Sequence, residues 1–549
     1  RAVYRHPNKV KPWVTMSLSI RERSQKVAAC IKENVEPTLR GITAKTGISK
    51  SSVHRHRQAI ARRNQYPESS FWESATGSKW LMRLVFGLVY YFGIKQGVGA
   101  ESLSEYICAM HLDTHVASSA SALRQLKQRV NQAVVDYEKA QAAHCVPSEG
   151  QGICVGADET FFGLPVLVLL EPSSGFIFIE SECENRTYAT WMEQVNQWWQ
   201  GSSWQCHYLV SDGARALVKL AVSGLGCVSV ADLFHALRTL GKPMGRALGQ
   251  QAAVLKKQQD KLQQQLKKRH EDAGRQALEA LIENNKAALQ QVQQDEQTYH
   301  EAVELLSQTI HPFTLDSLQW QTQKGLLTHL APPLQRLWNL APVYGAQKAQ
   351  QAIDTFEGQI TSFAQAIEAW QQWVTIALDG QTQDPAIRSW VLTYLLPWIY
   401  WTQQADKTRQ PSLKRRYQST ASHAFDRLFE HDITRALDDS QREQWVLWCR
   451  EFCAKYQRTS SAVEGRNGYL SKLHHARRGF SEQSLNVLTI IHNFDLKRHD
   501  GTTAAQRLFM HNFPDVFEWT LTHVGELPMP RRSSKLQQSK PLYADVFPA

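Results

Sequence analysis

Two stretches decide how this chain folds: Ile153-Cys154-Val155-Gly156-Ala157-Asp158-Glu159-Thr160 and His207-Tyr208-Leu209-Val210-Ser211-Asp212-Gly213-Ala214-Arg215. Each is an apolar run of strand length that ends on an acid. After the second acid, Gly213 permits a sharp exit into a helix. Between the two stretches lie two further apolar runs, Val166–Leu170 and Phe176–Glu180, joined by Pro172-Ser173-Ser174-Gly175, which predicts a β-hairpin. Cys227–Val230 reads as another buried strand, and helical patterns run near Tyr188–Gln200 and Ala214–Val222. Short strands interleaved with helices predict an α/β core over residues 151–245.

Outward from this core the texture is helical. On the N-terminal side, residues 17–64 and 71–145 read as helix, with Pro67 as a break and residues 1–15 irregular. Beyond Arg246, residues 250–308 are rich in Gln, Lys, Glu and Leu. Leu278, Ile282, Asn285, Leu289, Val292, Tyr299, Val303 and Leu306 there follow three-and-four spacing. This predicts long helices in an antiparallel hairpin with Gly274 near the turn, serving either dimer pairing or packing within one chain. Residues 310–455 are helical and hold Trp370, Trp373, Trp390, Trp398 and Trp401, which suit core packing better than base stacking. A basic helix starts near Thr459, and the tail past Pro528, with Arg531, Arg532 and Lys535, reads as mobile. The expected division is 1–65, 66–150, 151–245, 246–455, 456–500 and 501–549.

The chain has 549 residues, 42% hydrophobic and 21% charged, which suits a folded protein of several domains. Its net charge is +11, but residues 1–65 alone hold 15 Lys/Arg against 3 Asp/Glu. The positive excess is therefore local and points to a polyanion partner for that segment. The nine cysteines include no CxxC pair, and Cys449 and Cys453, four apart, read as core thiols in a reducing compartment. The longest apolar stretch, Leu81–Ile94, contains Arg83 and is too short to span a bilayer.

Within the basic segment, residues 38–57 have helix-turn-helix form. Leu39 and Ile42 pack the first helix, Gly47 makes the turn, Ser49 caps the second helix, and Ile48 and Val53 anchor it. Lys50, Ser51, Ser52, His54, Arg55 and Arg57 are left to meet bases and phosphates in a major groove.

A third acid-bearing segment, Thr459-Ser460-Ser461-Ala462-Val463-Glu464-Gly465-Arg466-Asn467, opens the basic helix. A strand with Asp158, a hairpin, a strand ending Ser211-Asp212-Gly213, then a distant helix with Glu464 resembles the DDE transposases of bacterial insertion sequences. Two more runs add to the likeness: Ala231-Asp232-Leu233-Phe234-His235, and Glu464-Gly465-Arg466-Asn467-Gly468-Tyr469 through His474-His475-Ala476-Arg477-Arg478-Gly479-Phe480. The likeness covers about residues 152–245 and 456–500. It departs from compact members in placing Glu464 252 positions after Asp212. Large insertions of this kind also occur among DDE enzymes, the hAT group included.

The resemblance implies an RNase H-like α/β catalytic core interrupted by a large all-α insertion and preceded by an all-α helix-turn-helix region. It implies two Mg²⁺ ions, with Mn²⁺ able to substitute, held by Asp158, Asp212 and Glu464 for cleavage and transfer of DNA strands. The expected partners are double-stranded DNA (transposon terminal repeats and target), a second copy or higher oligomer, and accessory transposition proteins. The expected place is the bacterial cytoplasm, at the nucleoid. The residues themselves leave alternatives open. Glu159 competes with Asp158 as ligand, and Asp232 is a candidate third carboxylate. Ser461-x-x-Glu464 is also a capping-box pattern, which would tie Glu464 to its own helix start. Arg466, Lys472, Arg477 and Arg478 are expected along flanking phosphates. Two other functions compete: a catalytically inactive DNA-binding regulator, and an RNase H-like nuclease without strand transfer.

Overall fold

The computed structural model describes residues 18–33, 38–63, 66, 68–477 and 479–530. The stretches expected as an irregular start and a mobile tail, the break at Pro67, and Arg478 lie outside the described residues. The described residues are mostly helical with one five-stranded mixed sheet. It divides into two compact units: residues 1–140, 475–488 and 514–549, and residues 141–474 and 489–513.

In the first unit, α1 (Ile20–Glu33), α2 (Leu39–Thr46) and α3 (Lys50–Arg63) form a small three-helix cluster. Val27 and Cys30 meet Ile42, Ile48, Val53 and Ile60 in its core. Thr38 caps α2 through Gly41 N–H at 3.1 Å, and Gly47 ends it at φ 69, a left-handed turn that glycine adopts without a Cβ clash. The helix-turn-helix reading and its core residues match this arrangement. Helical segments from Ser69 to Gln141 follow.

The second unit holds the sheet: β1 (Gly152–Phe161), β2 (Pro165–Glu171), β3 (Phe176–Glu182), β4 (Gln205–Ser211) and β5 (Val228–Ala231), in the order β3-β2-β1-β4-β5. β1, β2 and β3 pair antiparallel, whereas β4 and β5 run parallel to β1. The expected hairpin is β2–β3, turning at Gly175 with φ 81. Helix α4 (Tyr188–Trp199) returns the chain from β3 to β4.

From β5 the chain enters α5 (Leu233–Lys268) and then α6 (Asp272–Thr309), which pack antiparallel. Asn285 Nδ2 donates to the Leu255 carbonyl at 3.0 Å, and Tyr299 OH to that of Gly241 at 3.0 Å. The turn falls at residues 269–271, so Gly274, expected near it, lies in the first turn of α6 instead. Further helices follow, including α7 (Pro411–Phe429). These helices and the sheet share one apolar core: Cys154, Tyr208, Val210 and Val230 join the same cluster as Trp370, Trp390, Trp401, Cys449 and Cys453. The predicted core role of the tryptophans holds for these, and Trp373 is also buried. The strand-free stretch therefore completes the sheet's core rather than forming a separate one. Helix α8 (Ser461–Arg477) returns to the sheet, and α9 (Glu482–Phe494) follows. Among the described residues, no helix is long and apolar enough to cross a membrane.

Candidate functional site

The parallel strands β1, β4 and β5 bring three acids side by side. Asp158 lies inside β1, which runs on to Phe161 rather than ending at the acid, and Asp212 and Asp232 stand one residue past the ends of β4 and β5. Gly156 pairs with Val210, so continuing both strands by two residues brings Asp158 beside Asp212. Ser211 pairs with Ala231, which brings Asp212 beside Asp232. Adjacent strands lie about 4.8 Å apart, close enough for carboxylates to feel each other. Asp158 shows this directly. Burial pushes its carboxyl up to about 6, the Asp212 charge adds to the rise, and the Glu159 amide and His235 oppose it. Asp212 is exposed and accepts a hydrogen bond from the Ala214 amide at 2.9 Å; Gly213, at φ 83, turns the chain away from it.

Helix α8 closes this end of the sheet. Its start presses on β1 at Gly156, where a Cβ would stand 3.2 Å from Val463 Cγ2. Glycine is thus what lets the helix approach. Three residues apart on α8, Glu464 and Asn467 share a face. Asn467 Nδ2 donates to Asp158 Oδ2 at 3.0 Å, while its Oδ1 is buried without a hydrogen-bond partner. Glu464 Oε1 lies 3.0 Å from His235 Nε2.

The capping-box alternative for Glu464 fails on helix register. α8 begins at Ser461, so Ser460 is the N-cap residue and Glu464 sits one position past the one the box needs. Ser460 is engaged elsewhere. Its amide donates to Asp232 Oδ2 at 2.6 Å, and its hydroxyl bonds the same oxygen.

The other two carboxylates weighed as ligands are committed to structure. Asp232 is 2% exposed; its Oδ1 caps α5 through the His235 amide at 3.0 Å, and its Oδ2 holds Ser460. It ties the start of α5 to the start of α8. Glu159 points to the opposite face of β1 from Asp158, as strand alternation requires. There its buried side chain pairs with Arg186 Nη1 at 3.0 Å and accepts from Trp191 Nε1 at 3.4 Å. Asp158 therefore faces α8, and Glu159 faces α4.

The side chains on this side of the sheet, Asp158, Asp212, Glu464 and Asn467 Oδ1, offer oxygens of the kind a hard divalent cation takes. The orphaned Asn467 Oδ1 fits such an ion, as does the repulsion of Asp212 on Asp158, which outweighs the opposing effect of His235. Among the described residues, no group of three or more His, Cys, Asp or Glu side chains is gathered tightly enough to hold one ion.

The basic residues of α8 divide. Arg466 does not reach toward a phosphate. It is 4% exposed and locked in a fork with Glu180 of β3, Nε to Oε1 and Nη2 to Oε2, both at 2.6 Å, with Thr489 Oγ1 adding 2.7 Å to Oε2. This pair staples α8 to the edge strand. Lys472 is exposed, and the His474 ring stacks on Phe162 at 4.6 Å. The Arg477 side chain and Arg478 lie outside what is described.

On α3, Lys50, Ser51, His54, Arg55 and Arg57 are exposed, as expected of a reading face. Ser52 is not: at 8% exposed it turns inward beside Val53 and cannot meet a base. Sequence reasoning quoted His235 and Asn467 within longer runs but assigned them nothing. The signal for Asn467 was its place three residues after Glu464, on one helix face.

A family model described as a family of unknown function (DUF6399) matches residues 391–536. No curated protein and no solved structure matches the chain.

Proposed function

We propose that this protein is a transposase of the DDE type, which cleaves DNA at transposon ends and joins the freed strands to target DNA. The observation that carries the reading is that Asp158 and Asp212 stand beside each other on adjacent parallel strands, with Asn467 of α8 bonded to Asp158 and Glu464, one turn earlier, beside His235. The strand order β3-β2-β1-β4-β5, with β2 alone reversed, is the order expected of an RNase H-like core and supports it.

Asp158, Asp212 and Glu464 would hold two Mg²⁺ or Mn²⁺ ions. When bound, these would activate a water or 3′-hydroxyl and stabilise the leaving oxygen at the scissile phosphate. The chain's own residues prepare that site. Asn467 fixes the orientation of Asp158, leaving the carboxylate's other oxygen on the Glu159 amide. The Arg466–Glu180 fork holds α8 in register, and Asp232 anchors its first turn. The exposed cations of α3 would read the transposon end, and a second copy would supply the partner end. The protein would act on the nucleoid in a bacterial cytoplasm, with accessory proteins as further partners.

One observation favours a second reading. Glu464 lies against His235 at 3.0 Å, which would suit a transposase-derived regulator that binds DNA without cutting it. The test is cleavage of a labelled duplex from DNA flanking the gene, with Mg²⁺ or Mn²⁺, for wild type, Asp212→Ala and Glu464→Ala. Cutting by wild type alone, with binding retained in both variants, supports the transposase. Binding with no cutting in either metal supports the regulator, and nicked products never followed by joined ones support a nuclease.

A further inference from the structure

Residues 407–416, Lys-Thr-Arg-Gln-Pro-Ser-Leu-Lys-Arg-Arg, hold five Lys/Arg and no acid. This is not a general excess, because residues 66–549 together carry 47 Lys/Arg against 48 Asp/Glu, roughly one cation in ten residues. Arg409, Arg415 and Arg416 are exposed and Lys414 is half-buried. None of these four makes an ion pair or a side-chain hydrogen bond among the described residues. Gln410 Nε2 donates to Glu304 Oε2 at 3.4 Å, and the exposed Asp406 precedes the segment in the chain.

Helix stability does not account for the cluster. The cations crowd the start of α7, where the helix dipole already presents positive charge and where acids are the stabilising choice. That first turn has no acid, and Gln410 gives it no side-chain cap. Uncapped amides and unpaired guanidinium groups in one place are complementary to an anion that bears several charges along a line.

We propose that the Arg409–Arg416 segment is a second DNA-binding surface, gripping the phosphodiester backbone of double-stranded DNA without reading its sequence. The inference rests on DNA being the substrate. The segment belongs to the unit that carries Asp158 and Asp212, so it would hold the duplex being cut while α3 selects the end.

The test is binding of the full chain to a labelled duplex from DNA flanking the gene, over a salt series. The variants are Arg409→Gln/Lys414→Gln/Arg415→Gln/Arg416→Gln and the charge-retaining Arg409→Lys/Arg415→Lys/Arg416→Lys. Each phosphate contact contributes about 0.9 to the slope of log K against log salt, so the glutamine variant should lower the slope by about 3 to 4 and the lysine variant should keep it. An unchanged slope in the glutamine variant overturns the proposal. So does a loss seen with single-stranded RNA and not with duplex DNA. Amine acetylation of the wild-type protein covers the case in which the glutamine variant does not fold: duplex should protect Lys414, and equal labelling with and without DNA refutes the surface. If wild type binds no duplex at all, the transposase reading falls with it. If wild type binds and Arg55→Gln weakens binding while the glutamine variant does not, this inference alone falls.

Discussion

Replacing Glu180 with leucine should reveal what holds the candidate site together. In the folded protein the Arg466 guanidinium spends Nε and Nη2 on Glu180, both at 2.6 Å, and the two side chains are 3% and 0% exposed. Removing the carboxylate strands a buried cation and also takes the acceptor from Thr489 Oγ1, 2.7 Å away. Breaking one side of such a pair costs about 3–5 kcal/mol, and the loss of the Thr489 hydrogen bond to the carboxylate adds to it. Removing both charges in Glu180→Leu/Arg466→Met should recover most of this, since a well-packed apolar pair avoids the desolvation cost. Urea denaturation gives the global value. Hydrogen exchange over residues 461–474 reports whether α8, which carries Glu464 and Asn467, loosens first. A loss below about 1 kcal/mol with unchanged α8 protection would refute the reasoning, because a stranded buried charge cannot be that cheap. DNA binding supplies a second check. Arg466→Met should leave the salt slope unchanged, and a drop of about 0.9 would mean that Arg466 reaches a phosphate after all.

Three further outcomes are expected. The Asp158 carboxyl, pushed up to about 6 chiefly by burial, binds its proton more tightly in the folded than in the unfolded chain. In the absence of divalent ions, stability should therefore fall as pH rises from about 4 to about 6 and then level off. Asp158→Asn should lack this component in melts across that range; identical curves for the two proteins would assign it to another group. Gly156→Val should abolish strand cleavage while sparing α3-dependent DNA binding, because its side chain meets Val463 and Ser460 where α8 approaches β1. Cleavage at the wild-type rate would show that α8 need not sit so close. On α3, Arg55→Gln should weaken duplex binding, whereas Ser52→Ala should alter melting alone, because Ser52 is buried; anisotropy titrations that show equal losses would contradict that orientation.

Much of the fold was legible because its elements are local. The hairpin over Pro172–Gly175, the strands ending at Ser211 and Ala231, and the Gly47 turn each carry their instruction within a few residues, as periodicity plus a turn residue. The α5–α6 hairpin was visible in its three-and-four spacing, but its turn was misplaced. Gly274 was read as a turn signal, and the break falls at residues 269–271, followed by an acidic helix start at Asp272. Ser52 was misread because periodicity alone leaves the edge of a helical face undecided by a residue.

By itself, the sequence determined that Asp212 and Asp232 follow strands, which segment carries the cationic helix-turn-helix and which long stretch has no strands; Asp158, read as a strand end, lies inside β1. Those properties follow from local pattern and composition. Only the tertiary structure decided what each charged side chain does, because that depends on partners remote in the chain. Arg466 and Glu180 are 286 positions apart, Asp232 and Ser460 are 228 apart, and Asn467 and Asp158 are 309 apart. A basic residue on a helix looks the same in sequence whether it faces phosphate or a buried glutamate. Only the fold, which takes one from water and leaves the other exposed, separates Arg466 from Arg415.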